Sequence, residues 1–249
     1  MEQMTAFAIV AGLTGISENR QRVSVACRPP SGDLTAPCPF RRGHHNDHRA
    51  SNSDLSATGS SPLDVLVGSV QLSGGAVSAS SLMVGKGATI IGFGLVSGPL
   101  ADGGSIKAQG GVLDITGAVS GAGLSNINAN ATLELDAADS APVKFLSSTT
   151  GSLELLQSQS FTGSVSGLGA GDSLDLRDIS FVSAGEATFS GKSSGGTLTV
   201  SDGTHQAKIN LIGNYMASIW TASSDGHGGT IVVDPRTTTL MSQVVSGHG

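Results

Sequence analysis

The chain has 249 residues, of which 36 are Gly, and its formal net charge is −6. Gly is about twice as frequent as in average proteins, while aromatic residues make up only 4% and charged residues 13%. So few aromatic and charged side chains argue against a compact enzyme. The acidic balance argues against nucleic acid as a partner, because little of the chain would neutralise phosphates.

Residues 1–54 differ in composition from the rest of the chain. They contain both cysteines, six of the 13 Lys and Arg residues, and only four of the 36 Gly. The apolar run Ala6–Ala11 follows Glu2 rather than basic residues, which a secretory signal would carry, and it is too short to span a membrane. Four prolines between residues 17 and 54 block regular hydrogen bonding. We therefore expect residues 1–54 to be a disordered or weakly structured leader.

The cysteines of this segment do not have the spacing of a zinc site. Cys27 and Cys38 are separated by ten residues, whereas a zinc site typically has two cysteines separated by two to four. His44 and His48 do fit the histidine half of such a pattern, and His45 lies between them. A Cys27–Cys38 disulfide is the alternative if this segment is exported. The sequence favours a leader without a site.

From Leu63 onward, the chain alternates short strand-like runs with turn-forming residues. Val, Ile and Leu fill the runs, and Gly, Asn, Asp or Ser follow every five to ten residues. The interpretation places breaks or turns at Gly74–Gly75, Gly92 and Gly94, Gly103–Gly104, and Gly110–Gly111. Since no stretch has a sustained helical period, the body is predicted to be all-β.

One phrase recurs along the middle of this body: a small residue, an aliphatic residue, a carboxylate and a second aliphatic residue. Its central Leu occurs at steps of 20, 20 and 21 residues. A regular period of this length is typical of a β-solenoid, in which each ~20-residue rung stacks on the last. The copies are Val112–Ile115, Thr132–Leu135, Ser152–Leu155 and Ser173–Leu176.

Alternation along a strand assigns the two middle positions of the phrase to opposite faces. We expect the leucines to point inward and the carboxylates to form a solvated outer row. Stacked rungs would bring these carboxylates to within ~5 Å of one another, so bound cations or water must relieve their repulsion. The leucines are Leu113, Leu133, Leu153 and Leu174, and the carboxylates are Asp114, Glu134, Glu154 and Asp175.

The C-terminal part of the body has a more distinctive sequence. It reads FTGSVSGLGAGDSLDL from Phe161, GGTLTVSDGTH from Gly195 and SDGHGGTIVV from Ser224. This sequence resembles the C-terminal β-solenoid module of large bacterial secreted or surface repeat proteins. These proteins are described as autotransporter-passenger-like or haemolysin-type (RTX-related). The resemblance covers roughly residues 63–234. It implies a secreted or cell-surface location.

No cofactor is predicted, and calcium is the alternative that this pattern offers. RTX repeats bind Ca²⁺ through Asp and backbone carbonyls in tandem turns. Only the core of that repeat is present here, without a tandem copy, and turn-forming Asp and Gly explain the same residues. The calcium candidates are Asp172, Asp175, Asp178 and Asp225.

The sequence predicts no catalytic residues. The outer carboxylates have no interleaved His, and Arg177 is the only base nearby, so general acid–base chemistry is not favoured. His205 and His227 lie in Asp-Gly turns without a marked nucleophile.

The predicted organisation is a leader (1–54), solenoid repeats (55–160), a C-terminal solenoid module (161–235) and a flexible tail (236–249). The predicted function is a non-enzymatic structural or adhesive module of an exported bacterial surface protein. Its partner would be a host-surface or matrix ligand, with no membrane span, and its ends could stack on further repeats. The alternatives are a calcium-binding RTX-like domain and a carbohydrate-active β-helix enzyme.

Overall fold

The fold was analysed in a computed structural model that describes residues 24–27, 40–41, 55–57, 62–146 and 150–234. It is an all-β structure with a stacked parallel β-solenoid of about six turns, spaced about 19 residues apart. The predicted fold class and, to about one residue, the predicted rung length are therefore confirmed. The described residues include no helix that is long and apolar enough to cross a membrane.

Strands account for most of the described chain, together with one turn of 3₁₀-helix at Ser158–Ser160. The first four strands are β1 (Ser24–Cys27), β2 (Phe40–Arg41), β3 (Leu55–Ala57) and β4 (Leu63–Ser78). The middle strands are β5 (Leu82–Val84), β6 (Ala88–Ser97), β7 (Leu100–Asp102), β8 (Ser105–Ile115), β9 (Val119–Ser120), β10 (Leu124–Ile127), β11 (Thr132–Leu135), β12 (Val143–Phe145), β13 (Ser152–Leu155), β14 (Ser164–Ser166) and β15 (Ser173–Leu176). The last five are β16 (Ala187–Lys192), β17 (Gly195–Ser201), β18 (Gln206–Ile212), β19 (Thr221–Ser224) and β20 (Thr230–Val233).

Parallel pairing arranges these strands in three faces. The first face joins the start of β4 to β5, β7 and β9. The second face joins the middle of β4 to the first halves of β6 and β8, and then to β10, β12 and β14. The third face joins the end of β4 to the second halves of β6 and β8, and then to β11, β13 and β15.

The interior is filled by the inward-facing residues of the faces. Leu113, Leu133, Leu153 and Leu174 pair in register on the third face, and each is 0% exposed. The predicted leucine ladder is confirmed. Because burying one such side chain contributes about 1.5–3 kcal/mol, a continuous ladder is a main source of stability.

Several predicted breaks are bends inside continuous strands. Gly92 and Gly94 lie within β6, Gly110 and Gly111 within β8, and the pair Gly74–Gly75 within β4. The prediction was wrong at these positions because a rung can turn a corner at Gly while its backbone still pairs with the neighbouring rungs. The predicted turn at Gly103–Gly104 is confirmed, since it separates β7 from β8.

Antiparallel strands close the C-terminal end of the stack. Strands β16, β17 and β18 form antiparallel pairs, and β18 then joins the second face beside β14. Strand β20 pairs antiparallel with β15 on the third face and with β19 on its other side. The parallel register therefore continues across residue 160, and the change to a cap comes only after β15. A cap of this kind covers edges that would otherwise be open to pairing.

At the other end, two short strands fall inside the predicted leader. Strand β1 pairs antiparallel with β4, and β2 pairs with β3, which lies parallel to the end of β4. The other leader predictions, which concern Cys38, His44, His45 and His48, lie outside the described residues, as does the predicted tail 236–249.

The corner at Gly92 gives a direct test of the fold. Gly92 has a φ of +124°, and a Cβ there would lie 1.9 Å from the Leu72 carbonyl oxygen of the rung below. Gly92→Ala is expected to lower the free energy of unfolding by about 3 kcal/mol or more, because strain and overlap add. Urea unfolding measures the loss.

Gly87→Ala is the matched control for this corner. Gly87 also has a positive φ, of +85°, but a Cβ there would meet nothing within 4 Å. The control should therefore lose only about 1 kcal/mol. Equal losses in the two variants would contradict the close approach of the rungs at Gly92.

Candidate functional site

The third face stacks four carboxylates in one line, here called the acid row. Asp114 pairs with Glu134, Glu134 with Glu154, and Glu154 with Asp175, each one residue along from the leucine ladder. Neighbouring strands lie about 4.8 Å apart, so the register holds like charges close together. The expectation of a fully solvated row is corrected, because three members are half-buried and Asp175 is only 8% exposed.

A second line of side chains runs beside the acid row, two residues further along each strand. It consists of Thr116, Asp136, Leu156 and Arg177, whose backbone N–H groups from Thr116 onward donate to the carbonyls of the preceding rung. Residues two apart on a strand share a face, so these side chains lie beside the carboxylates. The acid row consequently has an extra carboxylate near one end and a guanidinium near the other.

At its C-terminal end the acid row is neutralised by one guanidinium. Arg177 Nη1 lies 3.2 Å from Glu154 Oε1, 3.9 Å from Asp175 Oδ2 and 3.4 Å from Asp225 Oδ2. The same Nη1 lies 3.2 Å from His227 Nδ1. Arg177 therefore connects the row to the turn that precedes β20.

At its other end the acid row has no basic side chain in contact with it among the described residues. One oxygen from each of Asp114, Glu134 and Asp136 lies within 4.8 Å of the others. The Oδ1 atoms of Asp114 and Asp136 are buried and accept no hydrogen bond. This is the one group of three possible metal ligands in the described part of the chain, and carboxylate oxygens are what hard cations such as Ca²⁺ prefer.

Burial and mutual repulsion disfavour ionisation at this end. Burial raises the pKa of Glu134 to about 7, and repulsion from Glu154, Asp114 and Asp136 contributes further. Burial also raises the pKa of Asp114, with additional repulsion from Asp136 and Glu154. A proton or a bound cation would relieve the same unfavourable charge.

Asp175 belongs to the neutralised end but is the most buried member of the row. Burial raises its pKa to about 6, and the charges of Glu154 and Asp225 act in the same direction. Arg177 and His227 act in the opposite direction and reduce the rise.

Two of the four predicted calcium ligands are occupied by structural hydrogen bonds. Asp172 Oδ1 accepts from the N–H of Gly151 and Oδ2 from the N–H of Gly169, both at 2.8 Å, so it links two rungs. Asp178 Oδ1 accepts from the N–H and the hydroxyl of Ser158 in the rung before it. Both carboxylates thus stabilise turns.

The other two predicted ligands, Asp175 and Asp225, share Arg177. Asp225 Oδ1 also accepts from the N–H groups of His227 and Gly229, which lower the pKa of Asp225 although burial acts in the opposite direction. Within the described residues the structure therefore does not gather the four predicted residues around one point. The candidate cation ligands are instead Asp114, Glu134 and Asp136.

Asp136 was missed by sequence reasoning although the sequence contains its signal. Only the rung with Glu134 carries a second carboxylate two residues later, where the other copies of the phrase have Thr116, Leu156 and Arg177. Period-two alternation would have placed it on the outer face. The expected turn at His205 is confirmed, since Asp202 accepts from its backbone N–H and lies 2.9 Å from its ring.

Neither protein-family models, nor curated proteins, nor solved structures gave a match to this chain. The geometry of the acid row is therefore the basis for functional inference.

The burial of Glu134 and the repulsion in the acid row predict a pH-dependent gain in stability for Glu134→Gln. The pKa of Glu134 is raised on folding from 4.5 to about 7, so its stabilising contribution is complete below pH 4.5 and is lost as the pH rises towards 7. We expect the variant to match the wild type near pH 4.5 and to be more stable at pH 8. The gain should stay below ~1.4 kcal/mol per pH unit because water partly screens the side chain. Urea unfolding at the two pH values measures it.

Glu154→Gln is the matched control, one rung along the same row. It removes a carboxylate that repels Glu134 but also lies 3.2 Å from Arg177, so its gain at pH 8 should be smaller than that of Glu134→Gln. A gain of equal size in both variants would contradict an acid row that Arg177 neutralises at one end and leaves repulsive at the other.

Proposed function

We propose that the chain is a non-enzymatic structural or adhesive β-solenoid module of an exported bacterial surface protein. The observation that supports this most is the unbroken register of the stack. Inward side chains of three faces form one continuous core, and antiparallel strands close its C-terminal end. Such a stack is suited to a stiff, elongated spacer, because each rung is held by its two neighbours.

The chemistry of the acid row is in keeping with a non-enzymatic role. Acid–base catalysis uses partners whose environments hold them in different protonation states. Here Glu134 and Asp175 both have a raised pKa, and Arg177 is engaged by three carboxylates. The aromatic side chains of the cap, Phe189, Tyr215 and Trp220, pack on one another, with ring centroids 5.8–6.5 Å apart.

Labelling of intact source cells with an antibody against the solenoid tests the proposal. We expect signal on unpermeabilised cells or in the medium, and its loss when external protease is added. A tight stack opens rarely, so the purified body should resist the protease longer than the Gly92→Ala variant. Recovery of the protein from the cytosol alone would contradict the proposed role.

A second candidate function is calcium binding, and the arrangement of Asp114, Glu134 and Asp136 favours it. Three converging carboxylate oxygens would bind a divalent cation by displacing protons and screening the repulsion between the side chains. Extracellular calcium modules bind with dissociation constants of about 10⁻⁴–10⁻³ M. A site of this strength would stabilise the stack in calcium-rich surroundings.

Thermal unfolding in the presence of Ca²⁺ tests this candidate. We expect the midpoint to rise with Ca²⁺ up to about 10 mM, since a ligand that binds only the folded state stabilises it. Asp136→Asn should abolish the rise, whereas Glu154→Gln, which lies outside the group of three, should retain it. A midpoint that does not respond to Ca²⁺, or an equal response in both variants, would exclude a site at these residues.

A further inference from the structure

Two further carboxylates lie inside the solenoid, away from the acid row. Asp102 at the end of β7 is 1% exposed, and Asp139 before β12 is 3% exposed. Oδ1 of Asp102 accepts from the N–H of Gly104 at 2.9 Å, and Oδ1 of Asp139 accepts from the N–H of Ala141 at 2.6 Å. The Oδ2 atom of each is buried and accepts no hydrogen bond.

The two carboxylates lie near the same corner of the solenoid, two rungs apart and offset by two residues along the first face. Asp102 precedes β8, Asp139 precedes β12, and β10 lies between those two strands on the second face. The intervening rung makes room with glycine, because a Cβ on Gly123 would lie 2.2 Å from the Asp102 Cγ. The negative charge of Asp102 also acts on Asp139, whose pKa is raised to about 7 mainly by burial.

Among the residues that the structure describes, none places a buried positive charge at this corner. Val84 pairs with Asp102 from the rung below, and Asp139 lies between Val119 below and Phe161 in the rung above. Lys86, in the turn before β6, has an exposed side chain. Asp102 and Asp139 are thus the ionisable groups at this corner, and each faces apolar or glycine neighbours.

We propose that Asp102 and Asp139 form a proton-controlled latch, in which protonated side chains keep this corner packed and ionised ones open it. A protonated carboxyl costs much less to bury than an ionised one without a partner. When both protons are lost, two unpaired charges occupy one apolar corner. Opening the corner lets water reach both of them.

The direction of the pH dependence follows from linkage. The pKa of Asp139 rises on folding from 3.8 to about 7, so the closed corner is fully stabilised below pH 3.8. That stability is lost as the pH rises towards 7, by up to about tenfold in the closing equilibrium per pH unit. Asp102, whose pKa burial also raises, contributes in the same direction.

Amide hydrogen exchange of the full chain at pH 5 and pH 8, corrected for intrinsic exchange rates, tests the latch. We expect protection of the Gly104 and Ala141 amides to fall about tenfold or more between the two pH values. Asp139→Asn should hold that protection at pH 8, because its Oδ1 can still accept from Ala141 and its side chain stays neutral. Lys208→Gln, which removes an exposed charge on β18, is the control for charge elsewhere and should leave the fall unchanged.

Wild-type protection at Gly104 and Ala141 that does not change with pH would overturn the latch. An unchanged fall in Asp139→Asn would overturn it as well. Asp102→Asn provides a second variant should the first fail to fold, because it removes the other charge and keeps the acceptor for Gly104. Failure of that variant to raise protection at pH 8 would equally contradict the proposal.

Discussion

In-register parallel hydrogen bonding between rungs is the constraint on which the rest of this structure depends. Once Leu113 pairs with Leu133, the residues that follow them, Asp114 and Glu134, must pair as well. The same backbone ladder therefore produces an apolar interior and a line of like charges one residue away. A solenoid cannot shift one rung to separate the charges without also moving its leucines out of the core.

The acid row relieves its repulsion differently at its two ends. Arg177 is one residue in one rung, yet it contacts carboxylates of two stacked rungs and of a turn. Its direct contacts end there, since Leu156 occupies the matching position between Arg177 and Asp136, and the charge of Arg177 only partly offsets the raised pKa of Glu134. Beyond that point the fixed register leaves protonation, water or a cation as the ways to lower the charge. The candidate cation ligands follow from this asymmetry rather than from any calcium motif.

The sequence predicts the features that repeat and fails on those that occur once. The recurring phrase was enough to assign the solenoid, the rung length and the two faces of each strand, because stacking reproduces one pattern every rung. The sequence predicts a break at Gly92 because Gly marks a strand end in most folds. In this fold Gly92 is a corner within a strand. Asp172 and Asp178 are calcium candidates from the sequence because a turn-forming Asp and a ligand Asp have the same sequence context. Only the structure shows that their oxygens accept hydrogen bonds from neighbouring rungs.

Interior and surface acids are arranged in this solenoid according to how much water reaches them. On the surface, four successive rungs each carry a carboxylate, which a partly hydrated row with one guanidinium can tolerate. In the interior, Gly121 stands over Asp102, and Asp139 lies in the rung after that, over Val119. Two rung spacings and an offset of two residues along the strand separate the backbones of Asp102 and Asp139 by roughly 12 Å. That spacing weakens their mutual repulsion. It does not reduce the cost of burying each charge, and this burial is the larger cause of the raised pKa of Asp139. The corner therefore remains sensitive to protons even though its two acids are kept apart.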